Sequence, residues 1–314
     1  MADRTGNPPR VSVVIPTYDR PRLLRTAVES VAGQTYGAIE LIVVDDGSEV
    51  PARGAVADVA PPTTDVRFFR HDENRGANAA RNTGISAATG QFIAFLDDDD
   101  RWHPEKIERQ VEVLEAATEE VGVVFTGQRY VNGDGEVTNV SRPPAGDEFI
   151  DVLVRGGHLG SFSNVMVRAG VFETTGYLDE RLPCWQDTEW YFRLAPHYDY
   201  ESIPEPLTVR RFTASPQISD RFESRRDVAY PLLLEKHRDT AAAAGREGER
   251  AFLATMARAV AVAALKNQQY RDAVRFFLRS LRRRPTTLGL AYLLVASGGK
   301  FTHRPVQVGK RLVN

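Results

Sequence analysis

The first 130 residues of the chain alternate short β-rich runs with longer stretches of helical periodicity. The β-rich runs are five or six residues long and contain many β-branched and aromatic side chains. They cover residues 11–15, 39–44, 66–70, 91–96 and 121–125. Apolar residues recur at helical spacing between most of them, at 22–31, 78–88 and 104–117. Because strands joined through helices usually pair in parallel, this order predicts an α/β fold with a mostly parallel sheet covered by helices.

The pattern changes after this alternating region. The turn sequence NGDG at 132–135 predicts a hairpin between residues 129–131 and 137–138. Helical patterns follow at 147–154 and 188–195, with a β pattern at 164–167. From about Ser224 onward the pattern is helical, with breaks near Gly245, Asn267, Pro285 and Gly298. The sequence therefore predicts an α/β domain over residues 10–220, followed by an α-helical C-terminal module over residues 221–314.

The composition excludes several classes of protein. The 314 residues are 42% hydrophobic and 26% charged, as in a globular protein with one large or two ordinary domains. The single cysteine, Cys184, excludes an internal disulfide and a zinc site built from several thiolates. Residues 1–10 lack the apolar core of a signal peptide, and no stretch reaches the roughly 18 apolar residues of a membrane span. We therefore expect a cytoplasmic protein with neither a cleaved signal nor a spanning helix.

The formal net charge of −2 conceals two regions of opposite sign. Residues 246–314 contain 14 basic and three acidic residues, so the rest of the chain is acidic. Within that basic part, apolar residues recur at helical spacing and arginines occupy an adjacent face, which predicts a basic amphipathic helix. The apolar residues are Tyr270, Val274, Phe277 and Leu281, and the arginines are Arg271, Arg275, Arg279 and Arg282.

Two interpretations of this basic helix are open. In one it lies on an anionic membrane surface. In the other its apolar seam packs on the rest of the protein and its arginines are solvated. The apolar run at 288–296 is too short to span a membrane and can be buried in either setting. We expect peripheral association with the inner face of the cell membrane through the basic C-terminal helices, and we expect no nucleic acid among the partners.

Polar and acidic residues follow three of the predicted strands, where ligands of parallel sheets bind. They are Pro16-Thr17-Tyr18-Asp19-Arg20 after the first, Asp45-Asp46-Gly47-Ser48 after the second and Asp97-Asp98-Asp99-Asp100 after the fourth. Four adjacent carboxylates at a buried strand end repel each other unless a cation or solvent neutralises them. A divalent cation, Mn²⁺ or Mg²⁺, is one interpretation. The alternatives are a solvated acidic loop at 97–100 and ordinary turn residues at 45–48.

The same strand ends have the chemistry of a nucleotide site. A carboxylate such as that of Asp46 can accept hydrogen bonds from a base N–H or a ribose hydroxyl. Tyr18 offers a ring on which a base can stack, although it can equally be a half-buried loop aromatic. Neither of the glycine-rich phosphate-binding signatures, GxGxxG and GxxxxGK[ST], is present. A nucleotide would therefore be held through its base, its ribose and a metal on the diphosphate, as expected for a nucleotide-activated sugar.

Four segments, in this order and spacing, resemble the family 2 glycosyltransferases with the GT-A fold. They are VSVVIPTYDR, IELIVVDDGS, ENRGANAARNTGISAATGQFIAFLDDDDRW and VFETTGYLDERLPCWQDTEWYFRL. The resemblance covers about residues 10–215 and implies a mixed sheet flanked by helices. It also implies a nucleotide-diphospho-sugar donor, with UDP as the expected nucleotide, a divalent cation and inversion at the anomeric carbon. Residues 10–126 would form the nucleotide-binding part and residues 127–220 the acceptor part.

The resemblance assigns roles to individual residues on the donor side. By similarity, Asp99 is the expected metal ligand and Arg81 contacts the diphosphate or the sugar. An arginine on the helix surface, held in a salt bridge, is the alternative for Arg81. The remaining residues expected to bind the nucleotide or the donor are Pro16, Thr17, Tyr18, Asp45, Asp46, Asp97 and Asp98.

The family's catalytic-base motif aligns with Gln186-Asp187, where Gln replaces the usual Glu. Asp187 is therefore the expected general base, and its alternative role is a helix N-cap. Segment 209–215 lacks the histidine that many relatives carry, and the QxxRW signature of processive synthases is absent. We expect one sugar to be transferred per binding event, to a glycan or lipid-linked acceptor. The rival interpretation is a non-catalytic protein that binds sugar nucleotides or glycans on the same scaffold.

Overall fold

A computed structural model describes residues 8–57, 59, 65–211, 222–300 and 302. These residues form two compact units. The first contains the described residues of 1–149, 158–181 and 193–214, and the second contains those of 150–157, 182–192 and 215–314. The domain boundary predicted between residues 220 and 221, like the segment 212–215 discussed above, lies outside the described residues.

The elements are numbered in chain order. The strands of the described chain are β1 (Val11–Thr17), β2 (Ile39–Asp45), β3 (Asp65–Arg70), β4 (Phe92–Phe95), β5 (Asp100–Trp102), β6 (Val121–Val131), β7 (Val137–Ser141), β8 (Val165–Arg168) and β9 (Asp199–Arg211). The α-helices are α1 (Pro21–Ala32), α2 (Ala77–Ala87), α3 (Lys106–Ala116), α4 (Phe149–Arg155), α5 (Val171–Thr175), α6 (Gln186–Leu194), α7 (Phe222–Ser224), α8 (Tyr230–Ala243), α9 (Gly245–Lys266), α10 (Tyr270–Arg283) and α11 (Thr287–Ser297). A π-helical turn, Arg225–Ala229, connects α7 to α8.

All the described strands belong to one mixed sheet of the first unit. Its order is β3-β2-β1-β4-β8-β6-β9-β5, and β7 pairs with β6. Strands β1 to β4 pair in parallel, whereas β8 runs antiparallel to both β4 and β6. The expected mixed sheet flanked by helices is confirmed, but the sheet is parallel throughout only in its first four strands.

The apolar runs of the sequence form the centre of the first unit. Every residue of β1 is buried, because helices cover both faces of a parallel sheet. Helix α1 packs through Leu24, Ala27, Val28 and Val31, which recur at the spacing of one helix face. Leu24 and Val28 belong to the same apolar core as Val11 and Val13 of β1. This packing fixes where the carboxyl ends of β1, β2 and β4 lie.

Pro16 lies inside β1, although proline lacks the N–H that a central strand normally donates. Val14 faces β4, since its carbonyl accepts a hydrogen bond from the backbone N–H of Leu96 at 3.0 Å. Pro16 faces the same side two residues later, but β4 ends at Phe95, opposite Val14. The missing N–H therefore breaks no ladder bond, and the end of β1 is open on that side.

The second unit contains the C-terminal helices, as predicted. Helix α9 is apolar along most of its length and is buried against its neighbours. The breaks predicted near Gly245, Asn267, Pro285 and Gly298 all coincide with helix ends. No helix in the part of the chain that the structure describes combines the length and apolar character needed to cross a bilayer.

Gly84 marks the closest approach of α2 to the sheet and provides a stability test. A Cβ at this position would lie 2.3 Å from Cγ1 of the buried Val14. Gly84→Leu is therefore expected to lower the free energy of unfolding by about 2 kcal/mol or more, because a packed core has no room for the side chain. Denaturant unfolding measures the loss. Gly54→Ala, where no atom lies within 4 Å of the added Cβ, is the control, and equal destabilisation by the two changes would contradict the packing described.

Candidate active site

The loops after β1 and β2 are joined at the edge of the sheet. Thr17 at the end of β1 pairs with Asp45 at the end of β2. Beyond them, the backbone N–H of Asp19 donates to Oγ of Ser48 at 3.0 Å, and a carboxylate oxygen of Asp19 accepts from the N–H of Glu49 at 2.8 Å. Asp19 has a positive φ of 52°, which aspartate tolerates better than most residues. The polar segments after β1 and β2 therefore form one connected surface.

Asp45 organises the loop after β2. Its carboxylate is buried and accepts hydrogen bonds from the backbone N–H groups of Ser48 at 3.0 Å and Ala52 at 2.9 Å. The Arg70 guanidinium lies 2.8 Å away. Burial alone would raise the pKa of Asp45, but these hydrogen bonds and the Arg70 charge hold it below its usual value. Both carboxylate oxygens are thus occupied within the protein.

Asp46 holds the segment that leads into α2. Its carboxylate accepts from the backbone N–H groups of Arg75 at 3.0 Å and Gly76 at 2.8 Å, and Nδ1 of His71 lies 2.7 Å away. The next residue, Gly47, has a φ of 77°, and a Cβ there would lie 2.5 Å from the backbone carbon of Glu73. A larger residue would push the two loops apart, so glycine is required at this point.

Tyr18 extends from the end of β1 towards solvent. Its side chain is 44% exposed, so the ring offers a surface on which a planar group can stack. The negative charge of neighbouring Asp19 raises the pKa of the phenol, which keeps the ring neutral. Thr17 and Pro16 are buried beneath it.

The acidic run brings three carboxylates together between β4 and β5. Oxygens of Asp97, Asp99 and Asp100 all lie within 4.8 Å of one another. Asp100 is buried, and its Oδ2 has no hydrogen-bond partner among the described residues. Nε of Arg210 lies 3.7 Å from this oxygen. Burial raises the pKa of Asp99, and it raises that of Asp100 well above its ordinary value. This set of hard oxygen donors fits a divalent cation.

Asp98 differs from its three neighbours in its contacts. One oxygen accepts from Oγ1 of Thr17 at 2.8 Å and the other lies 3.2 Å from Nη1 of Arg20, which also reaches Asp99 at 3.4 Å. Burial raises the pKa of Asp98 to about 6, although Arg20 opposes the shift. Asp98 therefore links the acidic run to the loop after β1 and is not part of the three-carboxylate cluster.

Arg81 on α2 is buried and contacts the acidic run. Its Nη2 donates to Asp97 at 2.6 Å, and its guanidinium stacks on the Phe162 ring at 4.1 Å from the centroid. The salt bridge of the alternative role is thus present, but the arginine is buried and does not lie on the helix surface. Two asparagines of α2 hold residues 178 and 179 in place. Asn78 donates to the carbonyl of Asp179, and Asn82 donates to that of Leu178.

Asp187 belongs to the second unit and lies in the first turn of α6. Because α6 begins at Gln186, Asp187 is not its N-cap. Its carboxylate accepts from the backbone N–H of Thr188 at 2.6 Å, in a position that the helix dipole favours for a negative charge. Trp185, directly before the helix, has a positive φ of 58°, which is rare for a bulky residue, and the Arg225 guanidinium lies 4.8 Å from its ring centroid.

Two further acidic and aromatic positions of α6 are structural. Glu189 is fully buried and pairs with Lys236 at 2.5 Å and His237 at 3.3 Å, both on α8. Trp190 is also fully buried, as expected for a core residue. The Cys184 thiol is buried and burial raises its pKa, which disfavours the reactive thiolate form.

Sequence reasoning missed several residues of this site. Arg20 and His71 carried no assigned role, and Asp100 was noted only as the last member of the acidic run. The available signal was position: His71 directly follows the predicted strand 66–70, and Arg20 and Asp100 are the last residues of the polar segments after two other predicted strands. Their partners come from other loops, however, so the sequence alone did not reveal their contacts.

Comparison with known proteins identifies the family. Residues 12–176 match the family model described as glycosyl transferase family 2. This match covers more than half of the chain, and the chain therefore belongs to the family 2 glycosyltransferases. A curated relative from Rickettsia felis, called an uncharacterized glycosyltransferase, is 33% identical over 204 residues, which are 62% of this chain. The match spans 33% of that relative, so the aligned part of this chain covers about a third of the relative's length.

Solved structures agree on the GT-A fold. TarS from S. aureus gives a TM-score of 0.62 at 17% identity, over 94% of this chain and 54% of that chain; TarS 1–349 has also been solved in complex with UDP-GlcNAc. The mannosyltransferase PcManGT from Pyrobaculum calidifontis, in complex with GDP-Man and Mn²⁺, gives a TM-score of 0.60 at 19% identity, over 93% of this chain and 80% of that chain. At these identities the likeness is one of fold.

The raised pKa of Asp98 predicts a pH-dependent stability. Its native value of about 6 exceeds the ordinary 3.8, so the folded protein holds this proton more tightly than the unfolded chain does. Ionisation then weakens folding as the pH rises through 6. Asp98→Asn removes this penalty and should stabilise the metal-free protein by about 1–3 kcal/mol near pH 8, with no gain near pH 4. Denaturant unfolding in EDTA measures the difference, with Asp72→Asn on the surface as the control. A gain that does not vary with pH would contradict the assignment.

Proposed function

We propose that this chain transfers one sugar, with inversion at the anomeric carbon, from a nucleotide-diphospho-sugar to a hydroxyl of a glycan or lipid-linked acceptor. The observation that carries the proposal is the cluster of Asp97, Asp99 and Asp100 at the end of β4, with a buried carboxylate oxygen that has no hydrogen-bond partner among the described residues. Such a cluster is stable in its ionised form when a divalent cation completes it.

Asp99, together with Asp97 and Asp100, would hold this cation, which we propose is Mn²⁺ or Mg²⁺. A divalent ion at a diphosphate neutralises charge that grows on the leaving group. Arg81 supports the same end of the site by fixing Asp97. In our proposal its positive charge also attracts the donor's diphosphate or sugar.

The nucleotide would lie along the loops after β1 and β2. Tyr18 supplies an exposed ring for stacking on the base, above Thr17 and Pro16. Asp46 reads the base, and Asp45 holds the loop that presents it. Asp98, hydrogen-bonded to Thr17, would face the ribose or the sugar.

We propose Asp187 as the general base. A carboxylate in this role takes the proton from the acceptor hydroxyl as its oxygen attacks the anomeric carbon, and the nucleoside diphosphate leaves from the opposite face. This route gives inversion in a single displacement. Its support is the place of Asp187 in the family's base motif and at the positive end of α6.

UDP is the proposed nucleotide, and the acceptor is proposed to lie at or near a membrane. TarS 1–349 has been solved with UDP-GlcNAc, whereas PcManGT has been solved with GDP-Man and Mn²⁺, so the test below includes both nucleotides. A lipid-linked acceptor requires an enzyme that works at the cytoplasmic face of a membrane. The basic C-terminal helices are the part of this chain suited to that surface.

The donor proposal predicts metal-dependent binding that requires Asp99. Calorimetric titration with UDP-GlcNAc and GDP-mannose, in Mn²⁺, Mg²⁺ or EDTA, should show that one nucleotide binds with metal and fails to bind in EDTA. Asp99→Ala should weaken that binding at least about tenfold, because one of three carboxylate ligands is lost. Asp72→Ala, an exposed acidic residue of the same unit, should bind like the parent. Binding of neither nucleotide under any condition would contradict the donor proposal.

The base proposal predicts a separation of chemistry from donor binding. Asp187→Asn should lower the rate of transfer by at least about a hundredfold, since the amide cannot take the proton. Its affinity for the donor should stay within about twofold of the parent. Nucleoside diphosphate release with a panel of glycoside and polyprenyl-linked acceptors measures the rate, and Asp239→Asn on α8 is the control. Transfer by Asp187→Asn at the parental rate would exclude Asp187 as the base. Donor binding with no transfer by the parent to any acceptor tried would favour the rival, a non-catalytic sugar-nucleotide-binding protein.

A further inference from the structure

The apolar seam of α10 is partly buried inside the second unit. Phe277 is fully buried and stacks on Tyr292 of α11, with ring centroids 5.7 Å apart and planes 1° from parallel. Leu281 lies against Gly289, since a Cβ there would be 2.9 Å from the leucine Cδ2. The seam therefore packs against α11 at Phe277 and Leu281, although Tyr270, Val274 and Leu281 are only half-buried.

The exposed apolar surface of this region belongs to α11 instead. This helix contains no charged residue, yet only Gly289 and Ala296 are buried. Leu288, Leu290 and Leu294 are 55%, 51% and 72% exposed. Large aliphatic side chains at such exposure, gathered on a single helix, form a surface that water solvates poorly.

The outer face of α10 is basic. Its exposed residues are Arg271, Arg275, Leu278, Arg279, Arg282 and Arg283. The only acid of the helix, Asp272, is partly buried and pairs with Arg226 at 3.1 Å. Among the described residues no carboxylate forms an ion pair with Arg271, Arg275 or Arg282. The basic face thus keeps its charge available for an external anion.

The basic stripe of α10 lies beside the face of the helix that packs on α11. Arg271, Arg275, Leu278 and Arg282 recur at i, i+4, i+7 and i+11, so they form one stripe along α10. Successive helical residues are rotated by about 100°, which places this stripe beside the one that includes Tyr270, Val274, Phe277 and Leu281 and packs on α11. The exposed arginines and the exposed leucines thus belong to two helices that pack against each other.

We propose that this surface, the outer faces of α10 and α11, docks on an anionic lipid bilayer. The leucines of α11 would enter the boundary between headgroups and acyl chains, and the arginines of α10 would meet lipid phosphates. The leucines are aliphatic and belong to a helix without charged residues, which suits the apolar boundary of a bilayer. A second copy of the chain would bring the same arginines against each other, and this repulsion disfavours a homodimer through the surface.

The surface contains none of the residues proposed above for the donor, the metal or the base, and only the proposed location of the acceptor depends on it. The sequence predicted membrane association through the basic C-terminal helices, and the proposal assigns this association to the outer faces of α10 and α11. A lipid-linked acceptor would be concentrated at that surface.

Flotation of the full chain with vesicles tests the proposal without donor or acceptor. The chain should bind vesicles of phosphatidylcholine mixed with phosphatidylglycerol at least about tenfold better than vesicles of phosphatidylcholine alone, and added salt should weaken binding. Leu290→Gln with Leu294→Gln, and separately Arg275→Glu with Arg282→Glu, should each reduce binding at least about tenfold. Val50→Gln and Arg53→Glu, exposed residues of the first unit, are the matched controls and should bind like the parent.

Thermal unfolding of each variant checks that these surface changes leave the fold intact. Equal binding to neutral and anionic vesicles, or binding that survives both pairs of substitutions, would overturn the proposal. So would a concentration-dependent dimer that Leu290→Gln with Leu294→Gln dissociates, since a second copy would then cover the surface. Binding that appears only after removal of residues 303–314 would show that the chain's own end covers it and would also overturn the proposal.

Discussion

The negative charge collected at the end of β4 is the constraint on which the candidate site depends. Four consecutive aspartates leave the sheet at a point where the chain is largely buried, so their mutual repulsion is poorly screened. Three arginines from separate segments lie against them: Arg20 after β1, Arg81 on α2 and Arg210 on β9. These cations offset part of the repulsion, yet a buried oxygen of Asp100 has no hydrogen bond from any residue that the structure describes. The proposed divalent cation would supply a further positive charge at this point.

The two acidic segments of the site, residues 45–46 and 97–100, direct their carboxylates to different partners. Asp45 and Asp46 direct their oxygens to backbone N–H groups, and they hold two loops in fixed positions. Asp97, Asp99 and Asp100 direct theirs towards one another. The hydrogen bonds around Asp45 favour its ionised form, whereas burial opposes the ionisation of Asp99 and Asp100. A rigid loop and an electrostatically strained cluster therefore meet at one edge of the sheet, as a preorganised binding site requires.

The order of elements along the chain was predictable because it depends on local pattern. The β-branched runs of the first half became β1 to β4 and β6, and the breaks in the helical tail became helix ends. Strand β9 was not predicted, because Pro204, Pro206 and several charged residues interrupt any β pattern there. It forms because β6 supplies a parallel partner along most of its length. Strand β9 also pairs antiparallel with β5, which brings Arg210 opposite Asp100, so the missed strand contributes a cation of the site.

Residue types and their periodicity, as written in the sequence, determined the fold class, the acidic strand ends, the helical tail and the family to which they point. The tertiary structure alone decided which carboxylates meet, which arginines face them, and that Phe277 of the α10 seam is buried against α11 while the leucines of α11 are exposed. Periodicity depends on neighbours a few positions away and can be recognised along the chain. A side chain's partner and burial depend on segments up to about a hundred residues distant, and these become neighbours only when the sheet and the helices pack.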